Sequence, residues 1–168
     1  KHVGTAFVLA PDADTQAQLA DLADELDPNI RRQSEIAAED KVIEALVAEG
    51  FPQDRIERVG HLKLGFDIRA HKIADVATGE VFVKRVEVKG RLRGQPVRLT
   101  TNEWYKAAQL AETYWLYVVW DPLGDSPELV RIHNPVAKLD HAKREIVAAR
   151  FYEIPADAVQ HAASKNMG

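Results

Sequence analysis

Apolar positions change their period along the first half of the chain. In residues 32–49, Ile36, Ile43 and Val47 recur at helical spacing with alanines between them, and Gly50 follows as a stop signal. Three shorter segments instead have the extended pattern that is typical of strands, and they cover residues 55–59, 65–73 and 80–89. Residues 32–89 therefore predict one helix followed by three strands.

The second half begins with a glycine-containing basic segment and contains the most apolar run of the chain. Thr100 and Glu103 have the spacing of a capping box, which predicts a helix from there to about residue 113. The other predicted elements are a loop at 90–95 and strands at 97–99, 114–120, 129–133 and 151–154. This order predicts an α/β fold, a mixed β-sheet flanked by helices.

A chain of 168 residues is long enough for one domain with its own core. We expect an acidic lead-in at 1–30 with a helix at 12–26, the domain itself at 31–154, and a polar tail at 155–168. Because the first residue is Lys1 rather than Met, the chain is expected to be a piece of a longer protein. The sequence has no apolar run of membrane-spanning length, so no association with a membrane is expected. The absence of cysteine excludes disulfides, thiolate zinc sites and cysteine nucleophiles, and it fits the reducing cytoplasm as the predicted location.

Charge is unevenly distributed around the net value of −4, because six acidic side chains precede residue 30 against Lys1 alone. Residues 81–98 hold six basic side chains against Glu87. Such a stretch could contact phosphates at short range, although a solvated strand and loop have the same composition. The nucleic-acid contacts predicted here are Lys84, Arg91, Arg93 and Arg98, together with Asn102 at a helix start where backbone N–H groups suit phosphate.

Candidate chemistry lies in the third strand, where Glu87 and Lys89 are two residues apart. Side chains two apart share a face, so Val86 and Val88 point to the core and leave this pair on the solvent face. A carboxylate can hold a hard divalent cation such as Mg²⁺, which lowers the pKa of a bound water. An ammonium beside it can orient that water or stabilise transition-state charge, which is useful for phosphodiester hydrolysis.

A second acid is expected on the neighbouring strand, across the predicted hairpin. Asp67 is the candidate, because Phe66 and Ile68 flank it as core residues. Glu35 and Glu39 lie four apart on the first helix, hence on one face, and either could supply a third carboxylate. A bare Glu-x-Lys pair is common, and an exposed strand with a weak ion pair is its simplest interpretation.

Four segments in order carry a family resemblance: Glu35-Ile36-Ala37-Ala38, Gly65-Phe66-Asp67-Ile68, Arg85-Val86-Glu87-Val88-Lys89-Gly90-Arg91 and Leu99-Thr100-Thr101-Asn102-Glu103-Trp104. Over about residues 31–140 the chain resembles the NO VEIN C-terminal domain family, which looks like a branch of the PD-(D/E)xK nuclease superfamily. The resemblance implies a restriction-endonuclease-like core with Asp67, Glu87 and Lys89 as signature residues. It implies Glu35 as the helix acid, with Glu39 as the alternative. It also implies a place in a larger protein with helicase-like domains, in phage-defence or restriction settings.

Together these inferences predict a metal-dependent nuclease domain that hydrolyses DNA, with Mg²⁺ as cofactor and Mn²⁺ as an alternative. Asp67 and Glu87 would bind the metal with Glu35 completing its shell, and Lys89 would position the attacking water. Cutting both strands of a duplex would call for a homodimer. Two alternatives stay open: a nuclease-fold module that binds DNA or a partner protein without cutting, and a purely structural interaction domain.

Overall fold

The structure, a computed structural model, describes residues 27–145. Three helices and five strands make up this part of the chain: α1 (Pro28–Ala48), β1 (Ile56–Arg58), β2 (Ile68–Asp75), β3 (Glu80–Arg91), α2 (Thr101–Leu110), β4 (Tyr114–Trp120), β5 (Glu128–His133) and α3 (Pro135–Leu139). The predicted helix at 12–26, the strand at 151–154 and the tail from 155 lie outside the described residues.

The five strands form one sheet in the order β1-β2-β3-β4-β5. The pairs β1–β2, β2–β3 and β4–β5 are antiparallel, and β3–β4 is parallel. A parallel neighbour cannot be reached by a tight turn, and α2 lies in the crossover that connects β3 to β4. The predicted mixed α/β sheet flanked by helices is confirmed.

Helix α1 begins earlier than the sequence pattern predicts. The Asp27 side chain accepts hydrogen bonds from the backbone N–H groups of Asn29 and Ile30, and Pro28 occupies the first helical turn. Pro is well suited to that position because it has no N–H to leave unsatisfied. Asp27 is therefore the N-cap of α1, and Pro28 is its first residue. Within residues 27–145, no helix has the length and apolar content needed to span a bilayer.

The buried face of α1 differs from the predicted stripe. Ala38, Val42 and Leu46 are fully buried against the sheet, whereas Ile36 and Val47 are exposed. The buried residues are spaced by four and pack into a core cluster with residues of β2, β3 and β4. The large side chains of Ile36 and Val47 suggested that they would face the core. The neighbouring face of α1 packs on the sheet instead, because small Ala38 allows close approach there.

Opposite α1, a second cluster covers the other face of the sheet. Val59, Phe66, Ala107 and Tyr114 are buried there, and α2 supplies Ala107. Phe66 and Ile68, predicted to flank Asp67 as core residues, are both buried but belong to different clusters. Both faces of β3 are consequently covered, which determines the environment of Glu87 and Lys89.

Strand β3 is longer than predicted, and Gly90 lies within it. A Cβ on Gly90 would come within 3.2 Å of Ala38 Cβ and 3.3 Å of the Ser34 carbonyl oxygen, so glycine lets α1 pack closely there. The predicted strand at 97–99 is wrong, because residues 95–100 have no regular structure. Pro96 has no N–H to donate, and β4 already occupies the edge of β3 as far as Arg91.

Candidate active site

Asp67 lies one residue before β2 and is tied to β3 by two hydrogen bonds. Its backbone N–H donates to the Val86 carbonyl oxygen at 2.9 Å, and its Oδ2 accepts from the Val88 N–H at 2.8 Å. A Cβ on Gly60 would lie 3.1 Å from Asp67 Oδ1, so this glycine leaves room for the carboxylate. The backbone therefore holds the carboxylate of Asp67 in one place beside β3.

Glu87 and Lys89 share the face of β3 that α2 covers. Lys89 Nζ lies 2.6 Å from Glu87 Oε1 and 2.9 Å from Glu103 Oε2. The Glu87 side chain is 3% exposed and that of Lys89 is 18% exposed, so the expected solvent face is largely covered. We call Asp67, Glu87, Lys89 and Glu103 the acid–lysine cluster. Glu103 was predicted only as a capping residue, and its contact with Lys89 arises from the packing of α2 on the sheet.

Tyr114 connects this cluster to the turn before β2. Its buried hydroxyl donates to the Gly65 carbonyl oxygen at 2.8 Å. Gly65 has φ of +85°, and a Cβ there would lie 2.9 Å from Lys106 Cβ and 3.2 Å from Asn102 Nδ2. The segment leading into Asp67 is thus held between β4 and the first turns of α2, and glycine is required for both its conformation and its close contact.

Burial dominates the electrostatics of the cluster. It raises the pKa of Glu87 to about 8, against the opposing charge of Lys89 and with the help of Asp67 and Glu103. Burial also raises the pKa of Asp67, although the hydrogen bond from Val88 and the charge of Lys89 lower it. For Lys89, burial lowers the pKa, but the ion pairs with Glu87 and Glu103 outweigh burial and raise it. Lys89 is therefore cationic at neutral pH, and Glu87 binds a proton much more tightly than an exposed glutamate does.

This shift predicts a stability that falls as pH rises. Glu87 binds its proton more tightly folded than unfolded, so its contribution is complete below about 4.5 and is lost as pH rises through about 8. Gln is isosteric with the protonated acid and cannot ionise. We expect Glu87→Gln to match the wild type at pH 5 and to exceed its free energy of unfolding by roughly 2–4 kcal/mol at pH 9. Urea titrations at both pH values measure this difference.

Glu80→Gln, an exposed change at the start of the same strand, is the control and should follow the wild type at both pH values. Equal pH dependence in wild type and Glu87→Gln would contradict the assigned environment of Glu87.

The two acids of α1 have different surroundings. Glu35 is exposed and pairs with Arg31 at 3.0 Å. Glu39 is more buried and pairs with Arg58. Burial raises the pKa of Glu39, Arg58 opposes this, and the charges of Asp67 and Glu35 add to it. Both helix acids therefore act electrostatically on the Asp67 region, and Glu39 is the more enclosed of the two.

The predicted nucleic-acid contacts differ in how far they are buried and in the partners they already have. Arg91, at the end of β3, and Arg98, in the following segment, are partly buried, and Asn102 is exposed in the first turn of α2 beside Gly65. Arg93 is engaged within the protein, since its guanidinium lies 2.5 Å from Glu128 Oε2 and 3.7 Å from Asp121 Oδ2. A phosphate would have to compete with these two acids for Arg93.

Lys84 lies on the opposite face of β3, away from the acid–lysine cluster. It is buried, lies 2.6 Å from Glu49 Oε2, donates to Tyr117 Oη at 3.0 Å and stands 4.0 Å from the centre of the Trp115 ring. Glu49 follows the last turn of α1, where a cation is favourable. The role of Lys84 as a nucleic-acid contact stays a prediction, and a phosphate would have to compete with Glu49 for its ammonium.

The donor set of the cluster suits a hard cation. Within residues 27–145, no three His, Cys, Asp or Glu side chains are grouped so that they could hold a metal ion by themselves. Mg²⁺ sites, however, commonly use one or two carboxylates and take their other ligands from water and substrate phosphate. Asp67 supplies one such carboxylate just before β2 and Glu87 supplies another on β3, so the residues fit a site that water and substrate complete.

Comparison with known proteins gives one match. No curated protein and no solved structure matches the chain. A family model described as Protein NO VEIN, C-terminal, matches residues 36–132, which run from α1 to β5. The matched region contains the whole acid–lysine cluster, while Glu35 lies just before it. Since it covers more than half of the chain, the protein belongs to the NO VEIN C-terminal family.

Proposed function

We propose that this protein is a metal-dependent nuclease domain that hydrolyses DNA phosphodiester bonds as part of a larger helicase-like or defence protein. The observation that carries the proposal is the position of Lys89 Nζ, 2.6 Å from a buried Glu87 carboxylate at the end of β3. Asp67 lies one residue before the adjacent strand β2, where its carboxylate accepts a hydrogen bond from the Val88 N–H. A PD-(D/E)xK nuclease needs these three groups together at one end of two neighbouring strands.

In this proposal Asp67 and Glu87 hold Mg²⁺, or Mn²⁺ in its place. When bound, the cation supplies charge for the phosphate oxygens and lowers the pKa of a water. The raised pKa of Glu87 supports this assignment, because a buried carboxylate lacking enough positive charge retains its proton. A cation at the same place would favour the ionised form.

Lys89 supplies a positive charge that is already placed. Since its ion pairs raise its pKa, the ammonium keeps its proton at neutral pH and can donate to a phosphate oxygen or orient a water. Asn102 and the first turn of α2 stand beside Gly65, next to the segment that carries Asp67. Arg91, Arg98 and Asn102 remain the proposed phosphate contacts, and Glu35 or Glu39 the proposed third acid.

Two observations favour the alternative, a nuclease-fold module that binds DNA or a protein without cutting. Lys89 already lies between two carboxylates, and residues 27–145 contain no complete three-ligand metal site. The cluster is thus internally neutralised in part before any cation binds. A measurement of metal binding distinguishes the nuclease from the non-cutting module, because the non-cutting module does not need a metal.

Calorimetric titration of Mg²⁺ and Mn²⁺, with and without a short DNA duplex, tests the proposal. We expect the wild type to bind metal, and Asp67→Asn with Glu87→Gln to weaken binding by at least about 100-fold, because even outer-sphere changes cost 10–100-fold. Asn and Gln preserve the size of the two carboxylates, so the fold is expected to remain.

The matched control is Glu44→Gln with Asp54→Asn, which removes the same number and type of charges from exposed positions. It should bind metal as the wild type does. Absence of binding by the wild type even with DNA present would overturn the metal-dependent mechanism and favour the non-cutting module.

A further inference from the structure

One oxygen of Glu103 connects the start of α2 to Lys89. Glu103 Oε2 accepts a hydrogen bond from the Thr100 backbone N–H at 2.9 Å and lies 2.9 Å from Lys89 Nζ. The Thr100 side chain in return accepts from the Glu103 N–H at 3.2 Å, which completes a capping box. Less than one fifth of either the Glu103 or the Lys89 side chain is exposed.

We propose that Glu103 is a positioning residue for Lys89. The Glu103 carboxylate anchors the Lys89 ammonium at the N-terminus of α2. The proposal rests on the proposed function only in treating Lys89 as the lysine that serves the reaction. That Glu103 holds the Lys89 ammonium in one place depends only on the fold.

The capping box explains why Glu103 is suited to this task. A free glutamate must lose rotamer freedom before it can hold a partner in one position. Here the hydrogen bond from Thr100 already fixes the carboxylate, so it presents the same oxygen to Lys89 at all times. The position of the ammonium is then set by a helix rather than by the flexible lysine stem.

A second reason is that Glu87 alone cannot both bind a cation and hold Lys89. In the structure Lys89 Nζ is close to Glu87 and to Glu103. If the Glu87 carboxylate binds a divalent cation, the positive charge of that cation repels the Lys89 ammonium and drives it away from Glu87. Glu103 then provides the remaining acceptor within the cluster, and without it the ammonium would turn toward solvent.

The cap and the ion pair can be separated by substitution. Gln completes a capping box as well as Glu does, so Glu103→Gln retains the helix start and removes only the charge. Thr100→Ala removes the side-chain acceptor for the Glu103 N–H but leaves the Glu103 carboxylate and its bond from the Thr100 backbone. If Glu103 only caps the helix, Thr100→Ala should change the reactivity of Lys89 more than Glu103→Gln does. If Glu103 positions Lys89, Glu103→Gln should change that reactivity more.

The first test is acetylation of lysines in the metal-free protein, followed residue by residue by peptide mass spectrometry. We expect Lys89 to react about tenfold faster in Glu103→Gln than in the wild type, because a neutral amide oxygen holds an ammonium less strongly than a carboxylate does. Thr100→Ala should stay within about twofold of the wild type. Exposed Lys63 is the internal reference in every sample. An unchanged Lys89 rate in Glu103→Gln, or an equal rise in Thr100→Ala, would overturn the proposal.

The second test measures DNA cleavage with Mg²⁺ by the same variants. Glu103→Gln is expected to lower kcat about tenfold with KM within about twofold, because it displaces a group that acts on the reacting phosphate. Acetylation needs neither metal nor DNA. A wild type that cuts no DNA would therefore contradict the nuclease function, while the labelling result would still decide the role of Glu103.

Discussion

Lys89→Met is expected to reduce Mg²⁺-dependent DNA cleavage by at least about 100-fold, the usual cost of removing one preorganised transition-state donor. Methionine keeps the length and apolar character of the lysine stem and removes the charge. Alanine is the poorer choice, because Lys89 is largely covered and a short side chain would also leave a gap beside buried Glu87. The measurement is the rate of nicking and linearisation of plasmid DNA, with single-stranded oligonucleotides in parallel.

The fold is expected to survive this change. Without Lys89, Glu87 keeps its proton more tightly, and Glu103 retains its hydrogen bond from the Thr100 backbone N–H. Circular dichroism should confirm native helix and strand content. Lys106→Met, on the adjacent α2 surface where the ammonium bonds only to Gln109 in the described contacts, is the control and should cut normally. Cleavage at the wild-type rate by Lys89→Met would refute the proposed mechanism.

Val86→Asp is expected to unfold the domain. Val86 is fully buried in the cluster between the sheet and α1. An aspartate there would have no cation available, because Lys84, two residues away on the same face, already pairs with Glu49. Burying an unpaired charge costs several kcal/mol, which is comparable to the whole stability of a domain of this size. Far-UV circular dichroism and thermal unfolding measure the loss.

Val81→Asp is the matched control, because it makes the same substitution in the same strand at a half-exposed position. We expect it to change the melting temperature only slightly. A cooperative native-like melt for Val86→Asp would mean that α1 does not pack on this face of β3.

Periodicity predicted the type of the elements better than their faces. The strand at 114–120 and the helix beginning at Thr100 are confirmed, because an apolar run and a capping box are local signals. The predicted stripe on α1 was wrong at Ile36 and Val47, which are exposed, whereas Ile43 packs against the core. The predicted strand at 97–99 failed because its pairing depends on whether a neighbour is free, which is a property of the assembled sheet.

The same distinction applies to the candidate site. The two-residue spacing of Glu87 and Lys89 was sufficient to place them on one face, and the hairpin brings Asp67 beside them. Strand periodicity also indicated that Lys84 lies on the other face, because Lys84 is two residues from buried Val86 and side chains two apart share a face. The contact between Lys89 and Glu103 had no local signal, since it depends on how a crossover helix packs. Burial of Glu87 has the same origin.

The single parallel pair in the sheet has a consequence for how the chain folds. Strands β2 and β3 form an antiparallel hairpin joined by a short turn, whereas β3 and β4 pair only after the segment containing α2 has crossed over. Local hairpins close quickly, and pairings across longer separations form later. We therefore expect Asp67, Glu87 and Lys89 to meet first on a growing chain, and Glu103 to join them when α2 docks. In this order the cluster is completed in two stages, and the contact between the helix and the lysine is expected to form last.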